Sequence, residues 1–232
     1  MNDRKGLSLW LRWVLANCLG EAIGLGATFA IGLALFSRLG EPQGVLPAIG
    51  MALLMTSSGL LEGTVVGLAQ WSVMQRAFPR LPRRSWVGAT VTGALVAWFL
   101  GSIPMTLASL STQGQQAAGP ESQASVMLLM AGVMGAFAGL VLGFPQWVVL
   151  RRVAKGASLW LPANGVAWAL GMPMVFAAVD LAQKGGSVAG AVATMAIAVA
   201  ITGAVVGAVH GLALAKLASQ AKGTISTACN QS

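Results

Sequence analysis

Six long stretches of the chain are almost continuously apolar, and short polar segments separate them. A helix that crosses the hydrocarbon core of a bilayer needs about 20 apolar residues, and each stretch reaches that length. Such runs must satisfy their own backbone hydrogen bonds in lipid, which favours helices over the alternating segments of a β-barrel. The pattern predicts an all-α membrane protein with six transmembrane helices, at residues 13–36, 46–74, 86–110, 126–150, 160–179 and 188–217.

Composition supports one membrane domain spanning residues 1–232. Hydrophobic residues make up 56% of the chain and charged residues only 9%, whereas soluble domains carry about 25% charged residues. So little charge cannot cover a water-facing surface, so the lipid bilayer is the expected partner. The net charge of +8 does not indicate nucleic-acid binding, because the basic residues lie between apolar stretches and form no folded face.

The positively charged residues are distributed unevenly among the connecting segments. Three precede the first span, four lie between the second and third, three between the fourth and fifth, and two at or after the end of the sixth. The other three loops together contain only two positively charged residues, Arg38 and Lys184. Because positive residues favour the cytoplasmic side, this distribution predicts that both termini face the cytoplasm.

The even-numbered spans contain a repeated motif. The second span reads Gly-x-x-x-Gly-x-x-x-Gly-x-x-Gln-Trp from residue 59, and the fourth repeats it at a constant offset of 76. The sixth keeps a shorter form, with His210 where the others have Gln70 and Gln146. Glycines four residues apart form a groove in which a neighbouring helix packs closely. We expect such packing of Gly59, Gly63, Gly67, Gly135, Gly139, Gly143, Gly203 and Gly207.

The odd-numbered spans are also related to one another. Trp-x-x-x-Asn opens the first span at residue 13 and the fifth at residue 160, and Trp-x-x-x-Thr opens the third at residue 86. The polar positions of these motifs are Asn17, Thr90 and Asn164. The chain is therefore predicted to contain three parallel-repeat helix hairpins, at about 9–76, 82–152 and 159–217. Approximate threefold symmetry would place Gln70, Gln146 and His210 at one level.

The repeated motif also carries a resemblance to other proteins. Gln-Trp-x-Val with arginines nearby, as at residues 70–76 and 146–152, precedes a span that opens with tryptophan and asparagine. In these features the chain resembles a group of uncharacterised multipass membrane proteins of cyanobacteria and other bacteria, most strongly over the second to fifth spans. The resemblance implies a multi-pass protein of the bacterial plasma (inner) membrane. It implies no catalytic residue, because no activity is known for the group.

Five tryptophans lie at the ends of spans that adjoin basic loops: Trp13, Trp71, Trp86, Trp147 and Trp160. Indole rings favour the interface between membrane and water, because one edge is polar and the remainder apolar. The sequence therefore predicts that these side chains anchor the helices at that interface.

Two acidic residues lie inside predicted spans, where ionisable groups are costly and are usually functional or paired. Glu21 and Glu62 each lie eight or nine residues from the tryptophan at the basic end of their span, about 12–13 Å at 1.5 Å per residue. The repeats have Trp168 and Ala138 at the equivalent positions. Two such carboxylates repel each other in a low dielectric unless one is protonated or a cation bridges them. They are either a proton or cation site, or protonated acids that hydrogen-bond between helices.

His210 is the only histidine of the chain. A single histidine is weak evidence for a haem or chlorophyll ligand, and its place in the repeat favours the interhelical hydrogen bond that glutamine makes there. The cofactor content therefore stays open. The sequence has no metal-ligand cluster, phosphate-binding loop or nucleophile–base set, so we expect no enzymatic activity.

Two functions are compatible with these features. The first hypothesis is a non-enzymatic accessory or packing subunit of a larger membrane complex, with other membrane subunits or copies of itself as partners. The alternative is a small channel or transporter coupled to cations or protons through Glu21 and Glu62. The candidate binding residues are Asn17, Glu21, Glu62, Gln70, Gln146, Asn164 and His210.

Overall fold

The computed structural model describes residues 3–40, 44–110, 120–184 and 187–229, and the regular structure in these ranges is helical. A short 3-10 turn, Ala157–Leu159, precedes the fifth long helix. Among the described residues, six helices are long and apolar enough to cross a membrane, the same number that the sequence predicts. The helices are α1 (Asp3–Leu39), α2 (Val45–Met74), α3 (Arg83–Leu110), α4 (Pro120–Leu150), α5 (Trp160–Lys184) and α6 (Val188–Cys229).

The outer surface of the helices is strongly apolar. Leu46, Leu129 and Val188 are 80%, 68% and 71% exposed, and many other large aliphatic side chains are exposed along every helix. In water such a surface would be unstable, whereas in lipid it has no cost because the hydrocarbon tails are equally apolar. The six helices are therefore compatible with a polytopic membrane protein.

The helices pack as a closed ring. Each packs mainly against the helix before it and the helix after it, and α6 closes the ring by packing against α1. The segments 75–82 and 151–159 connect α2 to α3 and α4 to α5 at the same end as the start of α1 and the end of α6. We call this the basic end, because most of the lysines and arginines lie there.

The predicted glycine grooves hold a helix of the same chain. A Cβ atom at Gly63 would lie 2.6 Å from the Val91 Cα of α3, and one at Gly207 would lie 2.9 Å from the Asn17 Cβ of α1. A Cβ at Gly139 would clash with the backbone oxygen of Asn164 in α5. All eight predicted glycines make such contacts: Gly59, Gly63 and Gly67 with α3, Gly135, Gly139 and Gly143 with α5, and Gly203 and Gly207 with α1.

Three tryptophans fill the interior at the basic end. Trp13, Trp86 and Trp160 are each 0% exposed, and the Trp160 ring lies edge-on to the other two at centroid distances of 5.9 and 5.8 Å. The prediction that these three anchor the helices at the membrane interface is wrong. They face the space enclosed by the ring of helices, where large flat side chains fill the volume between six backbones.

The other two predicted anchors behave differently. Trp71 and Trp147 are half-buried, and their rings carry the guanidinium groups of Arg83 and Arg151 at 5.9 and 4.8 Å from the ring centroids. An arginine over an indole face forms a favourable cation–π contact. This arrangement suits a side chain at the boundary between the apolar bundle and the basic loops.

Candidate functional site

A network of buried polar side chains links the helices just inside the tryptophan cluster. The Gln70 amide donates from Nε2 to the Asn17 Oδ1 at 2.8 Å. The Gln146 Nε2 donates to the Thr90 Oγ1 at 3.0 Å and lies 3.3 Å from the Gln70 Oε1. The Gln146 Oε1 accepts from the Trp160 Nε1 at 3.0 Å. Gln146 thus joins α4 to α2, α3 and α5.

His210 belongs to the same layer. The Trp13 Nε1 donates to the His210 Nδ1 at 2.8 Å, and the imidazole packs 5.4 Å from the Trp160 ring. A nitrogen that accepts a hydrogen bond carries no proton, so the imidazole is neutral with its hydrogen on Nε2. His210 therefore makes a hydrogen bond between α6 and α1, the same type of contact that Gln146 makes between α4 and α5.

The polar residues four positions after Trp13, Trp86 and Trp160 all make the same hydrogen bond within their own helix. The side chains of Asn17 and Asn164 donate to the carbonyl of the tryptophan four residues earlier, at 2.8 and 2.9 Å, and the Thr90 hydroxyl does the same at 3.0 Å. These bonds fix each side chain against its own helix. The Asn17 Oδ1 is then free to accept from Gln70. Five of the predicted binding residues therefore belong to this layer: Asn17, Gln70, Gln146, Asn164 and His210.

Glu21 and Glu62 form a second, separate polar site deeper in the bundle. They are 3% and 7% exposed. A Cβ at Gly24, one turn after Glu21, would lie 3.1 Å from the Glu62 Cα. A Cβ at Gly203 of α6 would lie 2.8 Å from the Glu21 Cβ. Glu21 is therefore enclosed between α2 and α6.

The two carboxyl groups differ in their hydrogen bonding. The Glu62 Oε2 accepts from the Trp98 Nε1 of α3 at 2.6 Å, which holds this side chain in place. The Glu21 Oε2 is buried and has no hydrogen-bond partner among the described residues. A buried oxygen without a partner costs about 1–3 kcal/mol. Glu21 thus retains an oxygen able to hold a proton or contact a cation.

Neutralising side chains are remote from this acidic pair. The nearest basic residue to Glu21 along α1 is Arg12, nine residues or about 13 Å away. Within the described part of the chain, the one ion pair joins Lys184 to Asp180 at the opposite end of the bundle. A carboxylate in hydrocarbon is stable only when a proton, a cation or strong donors compensate its charge.

The sequence prediction missed Trp98 as the partner of Glu62. Trp98 lies in Ala-Trp-x-Leu-Gly, which recurs at Trp168 in the fifth span, and this repetition was the available signal. Its partner lies 36 residues away on another helix, and no local spacing rule connects two such positions. Trp10 was missed in the same way; its indole donates to the Ala208 carbonyl of α6 at 2.9 Å.

Comparisons with known proteins give no further assignment. No family model matches the chain, and no curated protein or solved structure matches it. Among the described residues, no group of three or more histidine, cysteine, aspartate and glutamate side chains could hold a metal ion. The resemblance to bacterial multipass proteins stays a prediction, and any function must be argued from the buried polar groups.

Proposed function

We propose that this protein is a small channel or transporter that binds a proton or a monovalent cation at Glu21 and Glu62. The observation that carries the proposal is the buried Glu21 Oε2, which has no partner among the described residues. A second buried carboxyl-bearing residue, Glu62, packs with its backbone against Gly24, one turn from Glu21. Ionisable groups inside the membrane are costly and rare, and they commonly mark proton relays and ion pathways.

The distribution of polar groups supports this proposal. The carboxyl groups occur only in the first repeat, since Trp168 and Ala138 occupy the equivalent positions. The layer of glutamine, asparagine and histidine, by contrast, recurs in all three repeats and has its hydrogen bonds largely satisfied. A recurring layer with its hydrogen bonds largely made suits a structural role, whereas a pair confined to one repeat, with the Glu21 Oε2 left without a partner among the described residues, suits a binding site.

We propose a bacterial plasma-membrane protein with three parallel repeats and both termini in the cytoplasm. The repeats are supported by the equivalent contacts of the three glycine motifs and by the meeting of Trp13, Trp86 and Trp160. The orientation is supported by the concentration of positive residues at the basic end. We also propose that it has no enzymatic activity, because the buried polar residues that the structure describes form no nucleophile–base pair.

The accessory-subunit hypothesis is the second candidate. The eight motif glycines contact helices of the same chain, so they no longer argue for a partner. An apolar groove of about 670 Å³ between α3 and α4, lined by Gly93, Val96 and Phe144 among others, supports a partner helix instead. A stoichiometric membrane subunit that co-purifies in gentle detergent would favour this candidate, and a protein that purifies alone would oppose it.

The transport proposal predicts that Glu62→Gln and Glu21→Gln abolish flux without unfolding the protein. Glutamine keeps the shape of the side chain and its oxygen can still accept from Trp98, but it cannot ionise. Proteoliposomes under proton, Na⁺ or K⁺ gradients measure the flux, with an internal pH dye for protons and an internal Na⁺- or K⁺-sensitive dye for the cations. We expect both variants to fall to the level of protein-free liposomes while the melting temperature stays near wild type.

Asp180→Asn is the matched control, because it removes a carboxylate that is exposed and paired with Lys184 at the far end of the bundle. It should transport at the wild-type rate. Absence of flux in the wild type under all three gradients would end the proposal. Wild-type flux in both glutamine variants would end it equally, since a group that cannot ionise would then suffice.

The proposed orientation predicts which side of the membrane each loop faces. With Cys18 and Cys229 replaced by serine, a single cysteine at Arg152 should react only with reagent supplied from the cytoplasmic side. A cysteine within residues 113–122, of which 113–119 lie outside the described structure, should react only from the other side. Labelling of residues 113–122 from the cytoplasm alone would invert or break the proposed topology.

A further inference from the structure

A groove at the basic end lies between α1, α2 and α6 and is separate from the acidic pair. Its volume is about 550 Å³. Two arginines enter it, Arg12 from α1 and Arg76 from the turn after α2. Its lining also includes Leu15, Ala16, Leu19, Ser72, Val73 and Ser219.

The two arginines are available to a ligand. Both are exposed, and neither makes an ion pair, a cation–π contact or a hydrogen bond with the described residues. By contrast, Arg83 and Arg151 of the neighbouring loops lie over tryptophan rings. The Ser72 and Ser219 hydroxyls donate to carbonyls of their own helices, and the two arginines are the cationic side chains that line the groove.

The groove changes character along α1. Arg12, Ala16 and Leu19 lie at i, i+4 and i+7 and so share one helix face, with Leu15 beside them. Leu15 and Leu19 are both more than half exposed. The groove is therefore cationic at the basic end and apolar towards the middle of the membrane, which matches the two parts of a phospholipid.

A groove at the equivalent place in the second repeat lacks this combination. It lies between α3 and α4 and is the apolar groove described above. The repeat offsets of 73 and 76 equate its Ser85, Ala89, Thr92, Val148 and Val149 with Arg12, Ala16, Leu19, Ser72 and Val73. Serine replaces the first arginine there, so the groove of the second repeat lacks the pair of cations.

We propose that the groove between α1, α2 and α6 binds one anionic phospholipid. Arg12 from α1 and Arg76 from the turn after α2 donate to its phosphate, and an acyl chain lies along Leu15 and Leu19. Guanidinium groups form strong charge-assisted hydrogen bonds to phosphate, and basic pockets between transmembrane helices select anionic headgroups. The proposal does not depend on transport through Glu21 and Glu62.

Native mass spectrometry of the delipidated full-length protein tests this proposal. Dioleoyl phosphatidylglycerol, dioleoyl phosphatidylcholine and water-soluble glycerol phosphate are titrated separately. The wild type should bind one phosphatidylglycerol in preference to phosphatidylcholine. Each cation at a membrane surface contributes roughly a fivefold change in affinity, so Arg12→Gln and Arg76→Gln should each reduce the preference about fivefold and the double variant about 25-fold.

The control double variant Arg84→Gln/Arg152→Gln removes the same charge from exposed positions outside the groove. It should leave the preference within about twofold of wild type. Equal losses in the two double variants would reduce the effect to net charge and overturn the site. Glycerol phosphate that binds as tightly as the lipid would overturn the lipid assignment. If both single variants kept the wild-type preference for phosphatidylglycerol, the arginine site would be overturned, even if the double variant failed to fold.

Discussion

Gly139→Leu and Gly63→Leu are expected to prevent the chain from forming a stable bundle. A Cβ at Gly139 would already clash with the Asn164 backbone oxygen, and one at Gly63 would lie 2.6 Å from the Val91 Cα. The obstructing atoms belong to helix backbones, so no side-chain rotation can relieve the contact. Overpacking costs about 1–3 kcal/mol where neighbours can move, and we expect losses at or above the upper end of that range.

A matched pair of alanine variants in α4 tests the cause. Gly139→Ala introduces the clashing Cβ alone and should lower the melting temperature in detergent strongly. Gly132→Ala faces α5 from the same helix, but its Cβ would lie 3.4 Å from the nearest atom. Alanine favours helix over glycine by about 1 kcal/mol, so Gly132→Ala should be neutral or stabilising. Equal melting temperatures for the two variants would contradict the packing assigned to this helix face.

Gln146→Leu is expected to cause the second-largest loss of stability. Gln146 contacts Gln70, Thr90 and Trp160, and leucine removes all three hydrogen bonds. Interhelical hydrogen bonds in membranes contribute about 0.6 kcal/mol each. The buried Trp160 indole would also lose its acceptor, at about 1–3 kcal/mol. The expected total is roughly 2–4 kcal/mol, measured as free energy of unfolding in mixed micelles.

The control is Gln75→Leu, which removes an exposed glutamine at the end of α2 that donates to the Ser72 carbonyl of its own helix. It should change the free energy of unfolding by less than about 0.5 kcal/mol. Gln146→His should fall between the two, because His210 shows that an imidazole nitrogen can accept a tryptophan N–H in this layer. A Gln146→Leu variant as stable as Gln75→Leu would show that the network does not hold the helices together.

Features with a local cause could be predicted from the sequence. The six spans follow from uninterrupted apolar length, and the glycine grooves follow from spacing on one helix. The helix that fills each groove does not follow, since Gly63 has the same pattern whichever neighbour packs on it. The structure pairs Gly63 with α3, across the loop that follows α2, and not with α1.

The tryptophans illustrate a second limit. Trp13 and Trp71 both lie near the basic end of a span, yet one is buried at the centre of the bundle and the other is half-buried at its edge. Position along the helix axis sets the depth of an indole, but only rotation about that axis decides whether it faces lipid or protein. That rotation depends on all the neighbouring helices together. The contact between Trp98 and Glu62 was unpredictable for the same reason.

The closure of the ring by α6 against α1 also constrains the order of events during synthesis. The side of α1 that carries Asn17 and Glu21 is covered by Gly203 and Gly207, about 180 residues later in the chain. At 5–20 residues per second, the ribosome needs roughly 10–40 s to reach them. Throughout that interval the side chains of Asn17 and Glu21 lack the α6 contacts that bury them in the finished bundle. A chain that stops before α6 therefore keeps a polar stripe facing lipid, which distinguishes an unfinished molecule from a finished one.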